Sequence, residues 1–169
     1  MSLNGIGAKK KLVTFKYLEN LLPIMNLTYK QVATINEFID AIRLRVDVFI
    51  KEQGFQPGWE PDEDDKISKH FIAIYDGKIV STARYRETTN GEIKIERMVT
   101  SKEYRGKNIA KGLIEYMLKE IVKMKPKRIW LRSQVQSQPF YEKCGFIAIS
   151  KPFDMWGVPH IDMDYKKTS

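Results

Sequence analysis

The hydrophobic pattern between Phe71 and Leu131 constrains the fold of this chain more than any other feature. In its first half, apolar and polar residues alternate as in three strands, which are joined by Asp76-Gly77 and Asn90-Gly91. These dipeptides favour tight hairpins because both turn residues accept a positive φ. An apolar stripe with helical spacing begins at Ala110, and a buried strand follows at Arg128–Leu131. A strand, a helix and another strand in this order predict a right-handed crossover between parallel strands.

Shorter elements flank this unit. Residues 27–32 predict a strand, and Thr34 caps a following helix. Near the C-terminus we expect a short helix at 137–143, a strand at 146–150 and one last strand within 155–165. The chain is therefore predicted to be an α/β (α+β) domain with a mixed central sheet, an antiparallel N-terminal meander, parallel fourth and fifth strands, and helices on both faces. The first helix carries on one face Ile35, Phe38, Ile39, Ile42, Val46 and Phe49.

The size and composition of the chain fit one domain. With 169 residues and 43% hydrophobic residues it can bury a core. We assign residues 25–169 to this domain and leave residues 1–24 as an N-terminal extension of undecided order. With one cysteine and two histidines, neither a disulfide framework nor a metal site is expected. No apolar run reaches the roughly 20 residues that span a bilayer, so we expect a cytoplasmic protein without a membrane partner.

The net charge of +8 biases the surface toward anionic partners. The basic residues are scattered, however, and the acidic segment Glu60–Asp65 interrupts them. A nucleic-acid-binding protein would instead carry a continuous basic stripe. We therefore expect no nucleic-acid partner. Nothing in the sequence decides between a monomer and a homodimer.

The segment from Glu96 to Ala110 runs from a strand through a basic turn directly into the amphipathic helix. Free backbone N–H groups and the positive end of the helix dipole favour a phosphate at such a helix start. Arg105 and Lys107 add positive charge, and Gly106 lets the backbone approach a ligand. The sequence therefore predicts an anion site, the alternative being a basic loop that merely starts a helix.

This turn resembles the signature of the GNAT superfamily of N-acetyltransferases, in which an Arg or Gln is followed three and five residues later by Gly and by Gly or Ala. Arg105 and Ala110 match the signature, whereas Asn108 replaces the middle glycine. Asparagine is the non-glycine residue that best tolerates left-handed backbone geometry. We therefore expect the loop to survive this substitution.

Further matches to a small bacterial GNAT subfamily follow in order between about Met25 and Asp164. They are Arg45–Gly54 with its Glu-Gln-Gly motif, Glu60–Asp65, His70, Gln134, Phe140–Phe146, and Gly157–Ile161 with its Pro-His-Ile motif. The resemblance implies the GNAT fold, with acetyl-coenzyme A (acetyl-CoA) as the usual donor and its pantetheine arm between splayed fourth and fifth strands. It assigns to the cofactor Met98, Val99, Thr100, Arg105, Gly106, Lys107, Asn108, Ile109, Ala110, Gln134 and Tyr141.

Amide formation from a thioester requires a deprotonated amine and a proton for the departing thiolate. The resemblance places Tyr141 beside the sulfur as this acid, although a helix tyrosine packed on Phe146 would give the same pattern. Cys144 is expected to be a small residue at a helix end, since no histidine is adjacent to it in sequence and direct transfer needs no protein nucleophile.

Two residues are candidates for the general base. Strand alternation puts Glu96 on the same side as Lys94 and Met98, toward the predicted cleft. His70 has a suitable unperturbed pKa of about 6.5. The alternatives are a solvated Glu96, a structural His70, and a water relay to Glu52 or to an acidic-loop carboxylate.

The acceptor site is expected to contain Glu52, Trp59 and His160. The segment Glu60–Asp65 could attract a cationic amine, although such a charge run is usually solvated. His160 could equally hold the final strand. The resemblance thus implies an acyl-CoA-dependent N-acyltransferase that acts on a small-molecule or peptide amine through a ternary complex. A catalytically weak CoA-binding or sensing module is the alternative, which Asn108 leaves open.

Overall fold

A computed structural model describes residues 26–166, so the predicted extension at residues 1–24 lies outside it. The described residues form one mixed sheet with α-helices packed against it. The strands are β1 (Leu27–Gln31), β2 (Lys69–Tyr75), β3 (Lys78–Glu87), β4 (Glu92–Thr100), β5 (Arg128–Gln134), β6 (Phe146–Ala148), β7 (Phe153–Met155) and β8 (Val158–Tyr165). The α-helices are α1 (Ile35–Arg45), α2 (Ile109–Lys123) and α3 (Gln138–Glu142).

The sheet has the strand order β1-β2-β3-β4-β5-β8-β6, and β7 also pairs with β8. Strands β1 to β4 form the predicted antiparallel meander, and β4 and β5 are parallel, joined through α2. Both predicted hairpin turns are confirmed: φ is positive at Asp76 and Gly77, and at Asn90 and Gly91. The predicted fold class is therefore confirmed.

The C-terminal region contains two strands where we predicted one. Strands β7 and β8 form a hairpin, and the turn between them is Trp156-Gly157, with φ of 53° and 79°. Tryptophan is not a usual turn residue, so the sequence pattern did not reveal this hairpin. The turn has the consequence that Trp156 projects from the sheet, with 69% of its surface exposed.

Helix α1 begins as predicted but buries a different face. The Thr34 side chain accepts a hydrogen bond from the Glu37 N–H, and Glu37 reaches back to the Thr34 N–H, so the cap is a capping box. Ile35 and Ile39 of the predicted face are exposed. The buried face instead holds Ala41, Leu44 and Arg45. A buried arginine is not recognisable from a hydrophobic pattern.

After Arg45 the helix continues as a π-helix, Val46–Glu52. At its end the Gln53 N–H donates a hydrogen bond to the Val48 carbonyl at 2.9 Å. π-helical turns are rare and often occur at functional sites. Val48 packs with Leu44 and Val99 on one face of the sheet. Helix α2 covers the opposite face and forms the main core with β2 to β5 and β8, through residues that include Leu113, Met117, Phe71, Ile95, Leu131 and Met163.

Candidate active site

The site lies where β4 and β5 separate. Their parallel ladder joins Glu92–Ile95 to Arg128–Leu131 and ends there. Farther along, Val99 and Thr100 pair only with β3. The two strands are therefore splayed, and the backbone of residues 98–100 borders the gap.

A bulge at Arg97 changes the side on which the following residues of β4 lie. Arg97 has a φ of 54°, and the pairing with β3 shifts register between Thr82 and Arg84. Ile95 and Met98, three residues apart, both contact the main core, which regular alternation does not allow. The prediction that Glu96 and Met98 share one side is therefore wrong, because the strand does not alternate regularly at this point.

The basic turn before α2 has the predicted helix-start geometry. Asn108 is the N-cap of α2 in the left-handed conformation, with φ of 59° and ψ of 10°. Gly106 also has a positive φ, of 74°, and the space above its Cα is open. Asn108 thus adopts the left-handed conformation for which glycine is usually required, in line with the tolerance of asparagine for this geometry.

Two cavities meet at the gap between the strands. The larger, of about 720 Å³, extends along β4 to the start of α2. The smaller, of about 190 Å³, lies on the other side, under the loop after the π-helix and the β7–β8 turn. Both cavities are lined by Gln53, Met98, Gln134, Ser137 and Tyr141.

The larger cavity brings together nearly all of the residues predicted for the cofactor. Lys107 is the exception, since its side chain does not line the cavity. Its ammonium lies 5.0 Å from the centre of the Tyr104 ring. Gln134 donates a hydrogen bond to the Gln53 side chain at 3.0 Å, which bridges β5 to the end of the π-helix. The predicted cofactor residues found in the lining are Met98, Val99, Thr100, Arg105, Gly106, Asn108, Ile109, Ala110, Gln134 and Tyr141.

Glu52 lies in this larger cavity and not in the smaller one, contrary to its predicted place in an acceptor site. Both of its oxygens accept hydrogen bonds from Arg105, at 2.6 and 2.8 Å. The Arg105 Nε donates to the Thr100 carbonyl at 3.0 Å. Glu52 therefore orients the arginine of the signature loop, and the hydrogen bonds from Arg105 lower the pKa of Glu52.

The smaller cavity contains Trp59, His160 and Glu96, as predicted. Sequence reasoning missed Phe55 and Trp156, which extend the aromatic wall that Trp59 begins. Phe55 stacks on Trp59 at 5.4 Å between ring centres, and Trp156 meets Trp59 edge-on at 4.8 Å. The aromatic composition of residues 55–59 was a usable signal, whereas the position of Trp156 depends on a tertiary contact.

Part of the acidic segment is buried in an ionic network, which neither of the two interpretations of the sequence anticipated: Glu60 and Asp65 are buried, whereas the Glu63 side chain is 88% exposed. Arg45 of α1 and Arg84 of β3 are each 1% exposed and bind carboxylates of the segment. This pairing compensates the negative charge of the buried carboxylates. The network joins five acidic to five basic side chains, namely Glu60, Asp62, Asp64, Asp65 and Glu96 with Arg45, Arg84, Arg86, Lys94 and Arg97.

Two carboxylates of this network, Glu60 and Glu96, line the smaller cavity, and their pKa values shift in opposite directions. Burial raises the pKa of Glu60, and Arg45 and Arg97 offset only part of this effect. Burial also disfavours ionisation of Glu96, but Lys94, then Arg86 and Arg84, outweigh it and lower its pKa to about 2. Glu60 is therefore the stronger proton acceptor of the two.

His70 is not brought to either cavity. It is buried, its Nε2 lies 3.0 Å from the Asp65 carbonyl oxygen, and its ring meets Phe38 edge-on at 5.0 Å. Burial lowers the pKa of His70, so the neutral ring is favoured. The geometry supports the structural alternative for this histidine.

Tyr141 occupies the junction of the two cavities, held on α3 by an edge-on contact with Phe146 at 5.9 Å. Burial raises its pKa, so the hydroxyl keeps its proton at neutral pH and can donate it. Cys144 also borders the larger cavity. Burial raises the pKa of its thiol to about 11, so the reactive thiolate is disfavoured.

Two kinds of site are absent from residues 26–166. Within this range, no group of three or more His, Cys, Asp or Glu side chains could hold a metal ion. No helix among these residues is long and apolar enough to cross a membrane.

The two parallel strands are splayed, a basic helix start lies at the end of the gap between them, and one tyrosine is shared by two cavities. This arrangement is typical of a GNAT-type acyltransferase. The chain belongs to this family, because the model of the GNAT acetyltransferase domain matches residues 28–167. YjcF of Bacillus subtilis, described as an uncharacterized N-acetyltransferase, is 34% identical over 126 residues, which are 73% of this chain and 89% of YjcF.

Solved structures share the fold. The crystal structure of Escherichia coli ElaA has a TM-score of 0.73 at 23% identity and covers 85% of this chain and 100% of ElaA. That of an acyl-CoA N-acyltransferase from Pseudomonas aeruginosa has a TM-score of 0.68 at 24% identity, covering 84% of this chain and 99% of that one. At these identities the likeness extends to the fold alone.

Proposed function

We propose that this protein transfers an acetyl group from acetyl-CoA to a primary amine, by direct attack in a ternary complex. The observation that carries the proposal is the meeting of two cavities at Tyr141. One cavity leads from this point to a helix start suited to phosphates, and the other leads to a group of aromatic side chains that could hold the acceptor. Donor and acceptor can therefore reach the same point from opposite sides.

The residues that line the larger cavity suit the chemistry of coenzyme A. Its far end is the N-terminus of α2, where free N–H groups and the helix dipole favour a pyrophosphate. Arg105 and Lys111 add positive charge to the lining there. The backbone of residues 98–100, free of β5, is placed to bond the amides of a pantetheine arm. Bound acetyl-CoA would supply an activated acetyl thioester at the junction.

In the proposed reaction the amine nitrogen forms a bond to the acetyl carbon, and the carbon–sulfur bond breaks. Tyr141 donates its phenolic proton to the leaving thiolate, and its raised pKa keeps it in the protonated form until then. We propose that Glu60 takes the proton lost by the amine and that Glu96 stays ionised, paired with Lys94, Arg84 and Arg86.

The pH profile of kcat/KM distinguishes the two carboxylates. A base acts in its deprotonated form, so activity should rise as the pH increases through the pKa of Glu60. We expect Glu60→Gln to abolish this rise and Glu96→Gln to retain it, in variants whose melting temperature shows that they are folded. The opposite result would assign the base to Glu96.

Acetyl-CoA affinity tests the phosphate site. We expect Arg105→Ala to weaken binding by about tenfold to a hundredfold, since hydrogen bonds to charged groups contribute about 1.5–3 kcal/mol. Isothermal titration calorimetry measures this without turnover. Glu52→Gln is the matched variant: it frees the guanidinium from its carboxylate partner and should leave binding unchanged or tighter. If the wild-type protein shows no saturable binding, the cofactor assignment is wrong.

A further inference from the structure

The smaller cavity has an uneven distribution of chemical groups, and this distribution selects among amines. Phe55, Trp59 and Trp156 line this cavity but not the larger one. They therefore lie beyond the junction at Tyr141, on the side away from the donor. An acceptor whose nitrogen is at the junction must place the rest of its body against these rings.

The rings form a continuous wall. Phe49 and Phe55 are 6.3 Å apart between ring centres, Phe55 stacks on Trp59, and Trp156 closes the wall edge-on. A flat aromatic ligand gains binding free energy from stacked and edge-on ring contacts, in addition to the gain from its buried area. Because the wall comes from three separate segments, its rings are positioned by the fold and not by local sequence alone.

The charged groups of the cavity are already paired. Arg132 binds Asp162 through two hydrogen bonds, of 2.7 and 3.0 Å. Arg97 binds Asp62 at 2.5 Å and Glu60 at 2.7 Å. In each guanidinium two of the three nitrogens already contact carboxylates of the protein. A carboxylate on the acceptor would compete with these pairs and would share the cavity with Glu60 and Glu96, which disfavours it.

The volume sets a limit on size. At about 190 Å³, the cavity is smaller than the roughly 300–1,000 Å³ of pockets for drug-sized ligands. The space suits one ring system with a short side chain, so we expect the part of the acceptor inside the cavity to have about this size.

We propose that the acceptor is a small arylalkylamine without a carboxylate, with its ring against Trp59 and Trp156 and its amine at the Tyr141 junction. This inference rests on the proposed acetyl transfer. It adds the chemical class of the acceptor and the residues that select it.

A panel of matched amines tests the class, with release of free thiol from acetyl-CoA as the readout. We expect kcat/KM for 2-phenylethylamine to exceed that for 2-cyclohexylethylamine by about threefold to tenfold, since the two share chain length and charge but only the first has a flat aromatic ring. L-phenylalanine, which adds a carboxylate, and 1,4-diaminobutane, which lacks the ring, should both be at least about tenfold poorer. If either of these equals 2-phenylethylamine, the class is wrong even though acetyl transfer stands.

Substitutions of single tryptophans test whether the ring of the acceptor binds against the aromatic wall. Trp156→Leu should raise KM for 2-phenylethylamine about tenfold and leave the affinity for acetyl-CoA unchanged. Trp130→Phe is the matched control, since Trp130 contacts Lys94 and Arg128 and lines neither cavity. An unchanged KM in Trp156→Leu would overturn the placement of the ring.

Fluorescence separates a failure of this inference from a failure of the proposed function. The chain has three tryptophans, so in Trp130→Phe protein both remaining indoles lie in the wall. With CoA bound, 2-phenylethylamine should change their emission saturably. Saturable binding without thiol release from any amine would refute the transfer reaction and support the aromatic site. No change in emission would refute the aromatic site.

Discussion

Replacing Arg45 by methionine is expected to lower the free energy of unfolding by about 3–5 kcal/mol, because each of the two buried carboxylates that it contacts loses one of its partners. Arg45 contacts Glu60 and Asp65 with its guanidinium 1% exposed. Arg84 alone would remain to compensate Asp65. Chemical denaturation followed by circular dichroism measures the loss.

The matched control for this experiment lies on the same helix. Arg43 is paired with Asp40 at 2.8 Å, but its side chain is 74% exposed. Arg43→Met should therefore cost less than about 1 kcal/mol, as is usual for exposed ion pairs. Equal losses in the two variants would mean that burial of the network does not determine stability.

Replacing Tyr141 by phenylalanine is expected to lower kcat by about 10²- to 10⁴-fold, which is the usual contribution of a general acid. The ring and its contact with Phe146 are kept, so the affinity for acetyl-CoA should stay within about threefold of the wild-type value. Stopped assays of thiol release give kcat, and calorimetry gives the affinity.

Tyr165 offers the control for this substitution. Its ring also packs on Phe146, at 5.3 Å between ring centres, but it lines neither cavity. Tyr165→Phe should therefore keep the wild-type kcat. If Tyr141→Phe is as active as Tyr165→Phe, Tyr141 is a packing residue and the leaving thiolate obtains its proton elsewhere.

The sequence was sufficient for the order and direction of the central strands. The two Gly-containing turns and the strand–helix–strand pattern each have a local physical cause, so they fold as the pattern predicts. The same holds for Asn108, whose tolerance of left-handed geometry is a property of the residue itself. Features with local causes were predictable.

The parts that were mispredicted depend on contacts between distant residues. Arg45 looks like a surface residue until Glu60 and Asp65 are placed beside it. The side on which Met98 lies depends on a bulge that the sequence of β4 does not mark. His70 has the chemistry of a general base, whereas its burial and its contact with the Asp65 carbonyl support the structural alternative.

The ionic network also bears on how this protein can evolve. A single change in it removes one partner from several buried charges at once, so substitutions within the network are tolerated best as compensating pairs. The neighbouring Phe55 and Trp59 stand outside these pairs, although they belong to the loop that the network anchors. Selection can therefore alter the aromatic wall while the loop keeps its position, and a lineage can change its preferred amine without rebuilding its scaffold.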